Sequence, residues 1–315
     1  MNKIRTKKEK MCCIFAFFLI LCIYFLRIGF LEQDLAPWGV GYYQPGDEGQ
    51  YALPAINEYN LGEANPEHLE SYSSFTPYNL RTNLFGNILV LWGLETFGDN
   101  YFGFRISSVI FGFLNLLLLY VNLNWLKRMS GAKNSRVANW TIVGIIGFLV
   151  IDFTFFNASI VVEPTIVRML VAQILLFIVL LTKNNGYLRY FLLAFFSMLG
   201  IGVVYFTNLF FLLACGLLLL LQWRKEGTKK FIQYGIMFVL GMLVAGVLAE
   251  IYYMKIFGSH FWNNFINAIL SFSNSTGYEI TGFSNIISIP KAIIKSVAFY
   301  FSANPFFYCI PIHFV

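Results

Sequence analysis

The sequence predicts an all-α integral membrane protein with about seven or eight transmembrane helices and a long loop after the first of them. Composition is the first of three observations behind this prediction. Of the 315 residues, 58% are hydrophobic and 12% are charged, whereas a water-soluble domain carries roughly 25% charged residues. The second observation is a series of apolar runs close to the about 20 residues that cross a bilayer. The third is that basic and acidic residues occupy different connections between those runs.

The apolar runs, taken in order, give the predicted helices. Met11–Phe30 follows a basic start and is predicted to be an uncleaved N-terminal anchor, because neither a short apolar core nor a small-residue cleavage site is present. Further runs cover 101–125, 140–160, 166–182, 188–223, 231–254 and a terminal stretch near 293–312. The run 188–223 is too long for one crossing. Gly200, Gly202 and Asn208 in its middle predict a hairpin of two short helices.

The distribution of charge predicts the orientation, because Lys and Arg accumulate in cytoplasmic connections. Most of the 22 basic residues lie in connections predicted to share the side of the N-terminus: Lys3, Arg5, Lys7, Lys8, Lys10, Lys127, Arg128, Lys133, Arg136, Lys183, Arg189, Arg224, Lys225, Lys229 and Lys230. Ten of the 16 acidic residues lie between Glu32 and Asp99. We therefore expect a cytoplasmic N-terminus and an exoplasmic first loop, in the plasma membrane. The formal charge of +6 then reports topology and not nucleic-acid binding.

The segment 83–97 is apolar but short, and it contains Glu95. Counting it as a crossing would place the basic connection 127–136 outside, so we predict a juxtamembrane or re-entrant helix on the outer leaflet. The predicted organisation is one polytopic domain, residues 1–315. It comprises an exoplasmic catalytic loop 31–100, a helical core 101–253, a second exoplasmic loop 254–290 and a terminal hydrophobic segment 291–315.

The first loop contains the densest cluster of polar chemistry, Asp47, Glu48 and Tyr51. We expect Asp47 to begin a helix as its N-cap, a helix that Pro54 would keep short. A carboxylate at a helix N-terminus is favoured in its ionised form, which is the form a general base needs. The alternative is that Asp47 only caps a turn and that Glu48 is solvated.

Several ionisable residues are expected near the outer ends of the membrane helices: Arg27, Arg105, Asp152, Glu163, Arg168 and Glu250. Ionisable groups at membrane depth are costly and usually mark a site or a pathway. Guanidinium groups there suit a lipid phosphate, which they bind in a bidentate manner. The alternative for each arginine is that it extends its charge to the lipid headgroups.

Other catalytic motifs are absent from the sequence. There is no phosphate-binding GxxxxGK[ST], no strand-associated GxGxxG and no HExxH, and the three histidines lack metal-ligand spacing. The cofactor is therefore unknown, and a requirement for a divalent cation stays open.

The loop resembles that of the GT-C-fold glycosyltransferases that use polyprenyl-phosphate sugars, especially the protein mannosyltransferase and aminoarabinose lipid A transferase branch. The shared order over roughly residues 11–225 is Asp47-Glu48-Gly-Gln-Tyr51, Phe75-Thr76-Pro77-Tyr78-Asn79-Leu80, Phe97-Gly98, Phe104-Arg105 and Glu163-Pro164. Thr76 stands where many relatives have lysine, and Arg81 is the expected substitute. The chain ends at Val315, so the resemblance implies a compact or truncated member.

The resemblance implies transfer of a sugar, with inversion, from a polyprenyl-phosphate donor to a hydroxyl of an exoplasmic lipid, glycan or protein. Asp47 would be the general base, with Glu48 orienting the acceptor or Tyr51. Arg81, Arg105, Glu163 and Arg168 would organise the donor. A transporter or lipid flippase is the alternative function, although we find no inverted repeat. A non-catalytic membrane scaffold is a third.

Overall fold

The computed structural model describes residues 2–32, 45–62, 84–132, 135–162, 164–204, 208–257, 260–263 and 265. The regular structure in these ranges is helical and includes no strand. The helices are α1 Asn2–Phe25, α2 Pro45–Leu61, α3 Leu84–Phe97, α4 Tyr101–Met129, α5 Arg136–Ile151, α6 Phe153–Ala158, α7 Pro164–Leu181, α8 Gly186–Val203, α9 Leu209–Glu226 and α10 Thr228–Phe257. A 3-10 turn, Leu26–Phe30, continues α1.

Five of the described helices contain segments long and apolar enough to cross a membrane: Met11–Phe30, Tyr101–Met129, Pro164–Leu181, Gly186–Val203 and Thr228–Lys255. Only 11% of the most apolar window of Met11–Phe30 is buried inside the protein, so most of that helix presents its apolar side chains to lipid. The chain is therefore an all-α membrane protein, as its composition predicts. The expected terminal span near 293–312 lies outside the described residues.

The helical hairpin predicted within 188–223 is confirmed. Helix α8 ends at Val203 and α9 begins at Leu209. Asn208 is completely buried between the two helices, and its Nδ2 donates to the carbonyl oxygen of Gly200 at 2.8 Å. The Asn208 amide stabilises the turn between α8 and α9, because it satisfies a carbonyl in the last turn of α8.

The predicted single helix across 140–160 is wrong, because the helix is interrupted at Asp152. The Asp152 backbone is extended, with φ −64° and ψ 130°. Its carboxylate accepts a hydrogen bond from the Phe155 N–H at 2.9 Å and so caps the start of α6. Asp is a preferred N-cap residue, and here it starts a new helix in the middle of an apolar run.

Helices α8 and α10 form the most closely packed pair, along a stripe of small residues on α10 at four-residue spacing: Gly241, Ala245 and Ala249. A Cβ on Gly241 would overlap the carbonyl oxygen of Phe191, so the backbones touch there. Small residues let helices approach closely in lipid, where dispersion contacts replace the hydrophobic effect as the force between helices.

Helices α4 and α7 run parallel, joined by amide hydrogen bonds along their length. Asn115 Nδ2 donates to the Ile166 carbonyl at 2.8 Å, and Asn122 Nδ2 donates to the Gln173 carbonyl at 2.9 Å. Both pairs are offset by 51 residues. The two bonds therefore fix one register between the helices.

The helix ends separate the charges between two ends of the bundle. We call one the basic end. There α4 and α5 are joined by a hydrogen bond from Lys127 to Asn139 (2.7 Å), and α5 and α1 by an ion pair between Arg136 and Glu9 (3.7 Å). It also contains the α7–α8 and α9–α10 connections. We call the other the acidic end. It contains residues 31–32, the α3–α4 connection, and α2 packed on α3. The predicted segregation of charge is thus present along the described helices.

Candidate functional site

The acidic end is organised around the first turns of α4. Arg105 is 4% exposed, and its NH1 donates to the Leu31 carbonyl at 3.1 Å. Its guanidinium carbon lies 4.6 Å from the centre of the Tyr101 ring. One residue past Leu31, the Glu32 carboxylate accepts from the Phe102 N–H at 3.2 Å. These contacts fix the beginning of the first loop to the start of α4.

Arg27, in the 3-10 turn that continues α1, is a second buried arginine near this junction. It is 2% exposed and donates through Nε to Ser159 Oγ at 2.8 Å and through NH2 to the Val150 carbonyl at 2.5 Å. Its guanidinium carbon lies 4.5 Å from the Tyr24 ring centre and 4.9 Å from that of Phe156. Arg27 therefore clamps α1 to the break between α5 and α6, and it does not extend to the headgroups.

Helices α3 and α4 form a tight hairpin. A Cβ on Gly93 would overlap the Gly103 carbonyl oxygen, so the two helices touch backbone to backbone. The Phe97 and Phe102 rings meet edge to face at 4.9 Å across the connection. The predicted short helix that ends in Phe97-Gly98 is therefore present, and it folds back along the first turns of α4.

Helix α2, which carries the Asp47-Glu48 motif, is attached to the bundle through α3. Pro54 lies inside α2 and has no N–H to donate, so it disturbs the helical hydrogen bonds around it. The next N–H, that of Ala55, donates to Asn87 Oδ1 of α3 at 3.0 Å. Ala52 and Ala55 of α2 pack with Val90 of α3 in one buried cluster. The side chain of Asn87 therefore supports the backbone of α2 next to its proline.

The predicted helix through Asp47, Glu48 and Tyr51 is present, but it is longer than expected and begins earlier. It runs for 17 residues from Pro45, so Asp47 lies in its first turn and is not its N-cap. Proline is well suited to the first helical position, where no N–H is needed. The side chains of Asp47, Glu48 and Tyr51, together with residues Arg81 and Glu163, lie outside the described part of the structure.

Arg168 does not lie at the level of Arg105. The register between α4 and α7 aligns Arg168 with position 117 of α4, twelve residues beyond Arg105. At 1.5 Å per residue that is about 18 Å along the bundle. The structure thus places Arg105 and Arg168, two of the three predicted donor-binding arginines, at different depths.

The other predicted acids have identified partners. Asp152 is buried and caps α6, a structural role. Glu250 Oε1 lies 2.6 Å from Nδ1 of His260, and Oε2 accepts from the Trp262 N–H at 3.3 Å. Glu250 therefore fastens the segment that follows α10 to that helix.

Helix α10 also approaches the motif-bearing helix, because Glu58 of α2 interacts electrostatically with Tyr252 of α10. Helix α2 therefore packs on α3, and its Glu58 lies within electrostatic range of α10. The arrangement brings a helix with two adjacent carboxylic residues in its first turns to the end of the bundle where a buried guanidinium is held.

Sequence reasoning did not identify Asn87 as a supporting residue. A signal was available, because an asparagine in an apolar helix needs a partner and Pro54 leaves the backbone of a nearby helix disturbed. The two residues are 33 positions apart, and only the packing of α2 on α3 relates them.

Within the described residues, no group of three or more His, Cys, Asp or Glu side chains is placed to hold a metal ion. Comparisons with models of protein families, with curated proteins and with solved structures find no match to the chain.

Proposed function

We propose that the chain is a membrane glycosyltransferase that moves a sugar from a polyprenyl-phosphate donor to a hydroxyl of an exoplasmic lipid, glycan or protein. One observation supports the proposal most. The helix that carries Asp47 and Glu48 is packed, through α3, at the same end of the bundle as Arg105. A carboxylate and a guanidinium at one membrane surface are the two groups that such a transfer needs.

In the proposed reaction, the acceptor oxygen attacks the anomeric carbon and the bond to the donor phosphate breaks. Asp47 takes the acceptor proton, and its place in the first turn of α2 favours the ionised form. The leaving phosphate departs as an anion, so it needs stabilisation of charge more than it needs a proton. Arg105 would supply that charge.

The remaining donor-side roles are proposed in the same way. Glu48 orients the acceptor or Tyr51, and Arg81 and Glu163 contribute on the donor side. Arg168 lies deeper in the bundle than Arg105, so we assign it no contact with the same phosphate. The proposed setting is the outer face of the plasma membrane, with the N-terminus in the cytoplasm.

A radiolabelled polyprenyl-phosphate sugar, incubated with membranes that contain or lack the chain, tests the proposal. We expect label to leave the polyprenyl lipid and to appear in a new glycoconjugate only when the chain is present. Label that crosses the bilayer while still attached to the polyprenyl lipid would instead identify a flippase. No change in the position or chemistry of the label would favour a scaffold.

A further inference from the structure

A pocket of about 160 Å³ lies between α7, α8 and α9, at the basic end of the bundle. It is at the opposite end from α2 and has no part in the proposed sugar transfer. Its polar lining comes from Arg189 of α8 and from Gln222 and Lys225 of α9. Its apolar lining includes Val179, Leu218 and Leu221. One side of this pocket is therefore cationic and the other is hydrocarbon.

Arg189 is fixed at the pocket and still has a hydrogen-bond donor available for a ligand. Its NH2 donates to the carbonyls of Thr182 at 2.9 Å and Lys183 at 2.5 Å, which fixes the guanidinium against the α7–α8 turn. Its Nε is buried and has no hydrogen-bond acceptor in the described part of the chain. A buried donor without an acceptor is costly, by about the desolvation of that group. A ligand with acceptor oxygens next to this guanidinium would reduce that cost.

The apolar side of the pocket opens onto the lipid-facing surface of α9. Leu221 is 59% exposed and Leu218 is 44% exposed, and Leu217 and Leu220 of the same helix are exposed as well. A hydrocarbon chain that leaves the pocket along these two side chains therefore stays within the apolar layer. A free anion would use only the polar lining.

The acid Glu226 interacts electrostatically with Arg189 of this polar lining. Both of its carboxylate oxygens already accept hydrogen bonds, one from Gln222 and the other from Tyr234 Oη at 2.8 Å. The carboxylate is thereby held between Gln222 of α9 and Tyr234 of α10. Lys225 also lines the pocket, so the cations outnumber the acid there.

We propose that this pocket binds the phosphate group of an anionic phospholipid, with an acyl chain along Leu218 and Leu221. Basic pockets between transmembrane helices bind such headgroups, because the guanidinium and ammonium groups pair with phosphate while the helices exclude water. This proposal does not depend on the proposed glycosyltransferase activity.

Native mass spectrometry of the purified full chain in detergent tests the proposal, with phosphatidylglycerol and phosphatidylcholine of the same acyl chains as probes. Lys225→Gln removes one pocket cation, and Arg224→Gln removes the neighbouring charge outside the pocket. We expect about a 10-fold or larger loss of phosphatidylglycerol affinity in Lys225→Gln. A single basic residue near a charged lipid surface contributes only about fivefold, so Arg224→Gln should lose less.

A second pair of variants leaves the charge unchanged. Leu221→Trp fills the apolar side of the pocket and should weaken phosphatidylglycerol binding, whereas Leu220→Trp on the same helix should not. The proposal would be overturned if Lys225→Gln and Arg224→Gln lost phosphatidylglycerol affinity equally and Leu221→Trp and Leu220→Trp did so too. That result would indicate a diffuse basic surface. Equal affinity for the two lipids would overturn it as well. Inorganic phosphate that stabilises the lipid-free protein to heat as much as phosphatidylglycerol does would identify a soluble-anion site instead.

Discussion

At the scale of the residue, the two arginines of the acidic end differ in what they do. Arg27 has its contacts within the fold, between a hydroxyl, backbone carbonyls and aromatic rings. Arg105 is also buried and is held by the Leu31 carbonyl and the Tyr101 ring, but it stands at the junction of the first loop and α4. A planar guanidinium can stack on the ring and bind a phosphate in a bidentate manner, whereas an ammonium is a point charge that lacks this forked geometry. Arg105 is therefore the better candidate for a ligand contact.

Replacing Arg105 by lysine tests that assignment. Lysine keeps the charge but loses the flat, forked group, so donor use should fall if Arg105 binds phosphate. Loss of one charge-assisted hydrogen bond, worth about 1.5–3 kcal/mol, predicts about a 10- to 150-fold lower kcat/KM for the donor. Steady-state rates at varied donor concentration measure it, and Arg105→Ala should be worse. Unchanged donor kinetics in Arg105→Lys, with only a lower Tm, would leave Arg105 a structural anchor.

How much of the candidate site follows from sequence differs between residues. The placement of Arg105 near the start of α4 follows from counting along an apolar run. The depth of Arg168 does not, because it depends on the parallel register of α4 and α7, which two distant asparagines set. The N-cap assignment of Asp47 is wrong by three residues, because Pro45 is the first residue of the helix and does not end the preceding chain.

At the scale of the element, α2 is the helix on which the proposed catalysis depends. It contains a proline at its tenth position and would be weak in isolation. The hydrogen bond from the Ala55 N–H to Asn87 Oδ1, in a buried setting, offsets part of that weakness. The stability of α2 is therefore a property of its contact with α3.

Asn87→Leu should loosen α2 without unfolding the bundle. The buried Ala55 N–H would lose its acceptor, at a cost of about 1–3 kcal/mol. Amide hydrogen exchange across α2 should therefore be about 5- to 150-fold faster, while the amides of α8 and α10 keep their protection. Asn60→Leu, at an exposed position of α2, is the matched control. Equal exchange in wild type and Asn87→Leu would show that α2 is held in another way.

The helices themselves were largely predictable, because long apolar runs have few alternatives in lipid. The turn at Asn208 was predictable for the same reason, since the run around it exceeds one crossing. The break at Asp152 was not recognised, because one acid within an apolar run suggested a site at membrane depth. In the structure its carboxylate accepts a hydrogen bond from the backbone of α6. The extent of α2 was not predictable, because the residue that supports its proline lies on another helix.

At the scale of the whole molecule, the separation of the basic and acidic ends makes a definite prediction of orientation. In a Cys-free background, single cysteines at Ser73 or Ser275 should react with an impermeant thiol reagent added outside intact cells. A cysteine at Ser135, in the basic connection between α4 and α5, should react only after the membrane is made permeable. The physical reason is that Lys and Arg are retained on the cytoplasmic side. The reverse labelling pattern would invert the topology and remove the proposed exoplasmic site.

The central claim is that this bundle holds a carboxylate base at one membrane face, and Asp47→Asn tests it most directly. Asparagine keeps the size of the side chain but cannot accept the acceptor proton at neutral pH. Transfer from a radiolabelled polyprenyl-phosphate sugar by the purified protein should fall about 10²- to 10⁴-fold. Asp99→Asn, an exposed acid at the same end of the bundle, should transfer at close to the wild-type rate. Wild-type transfer by Asp47→Asn would contradict the account.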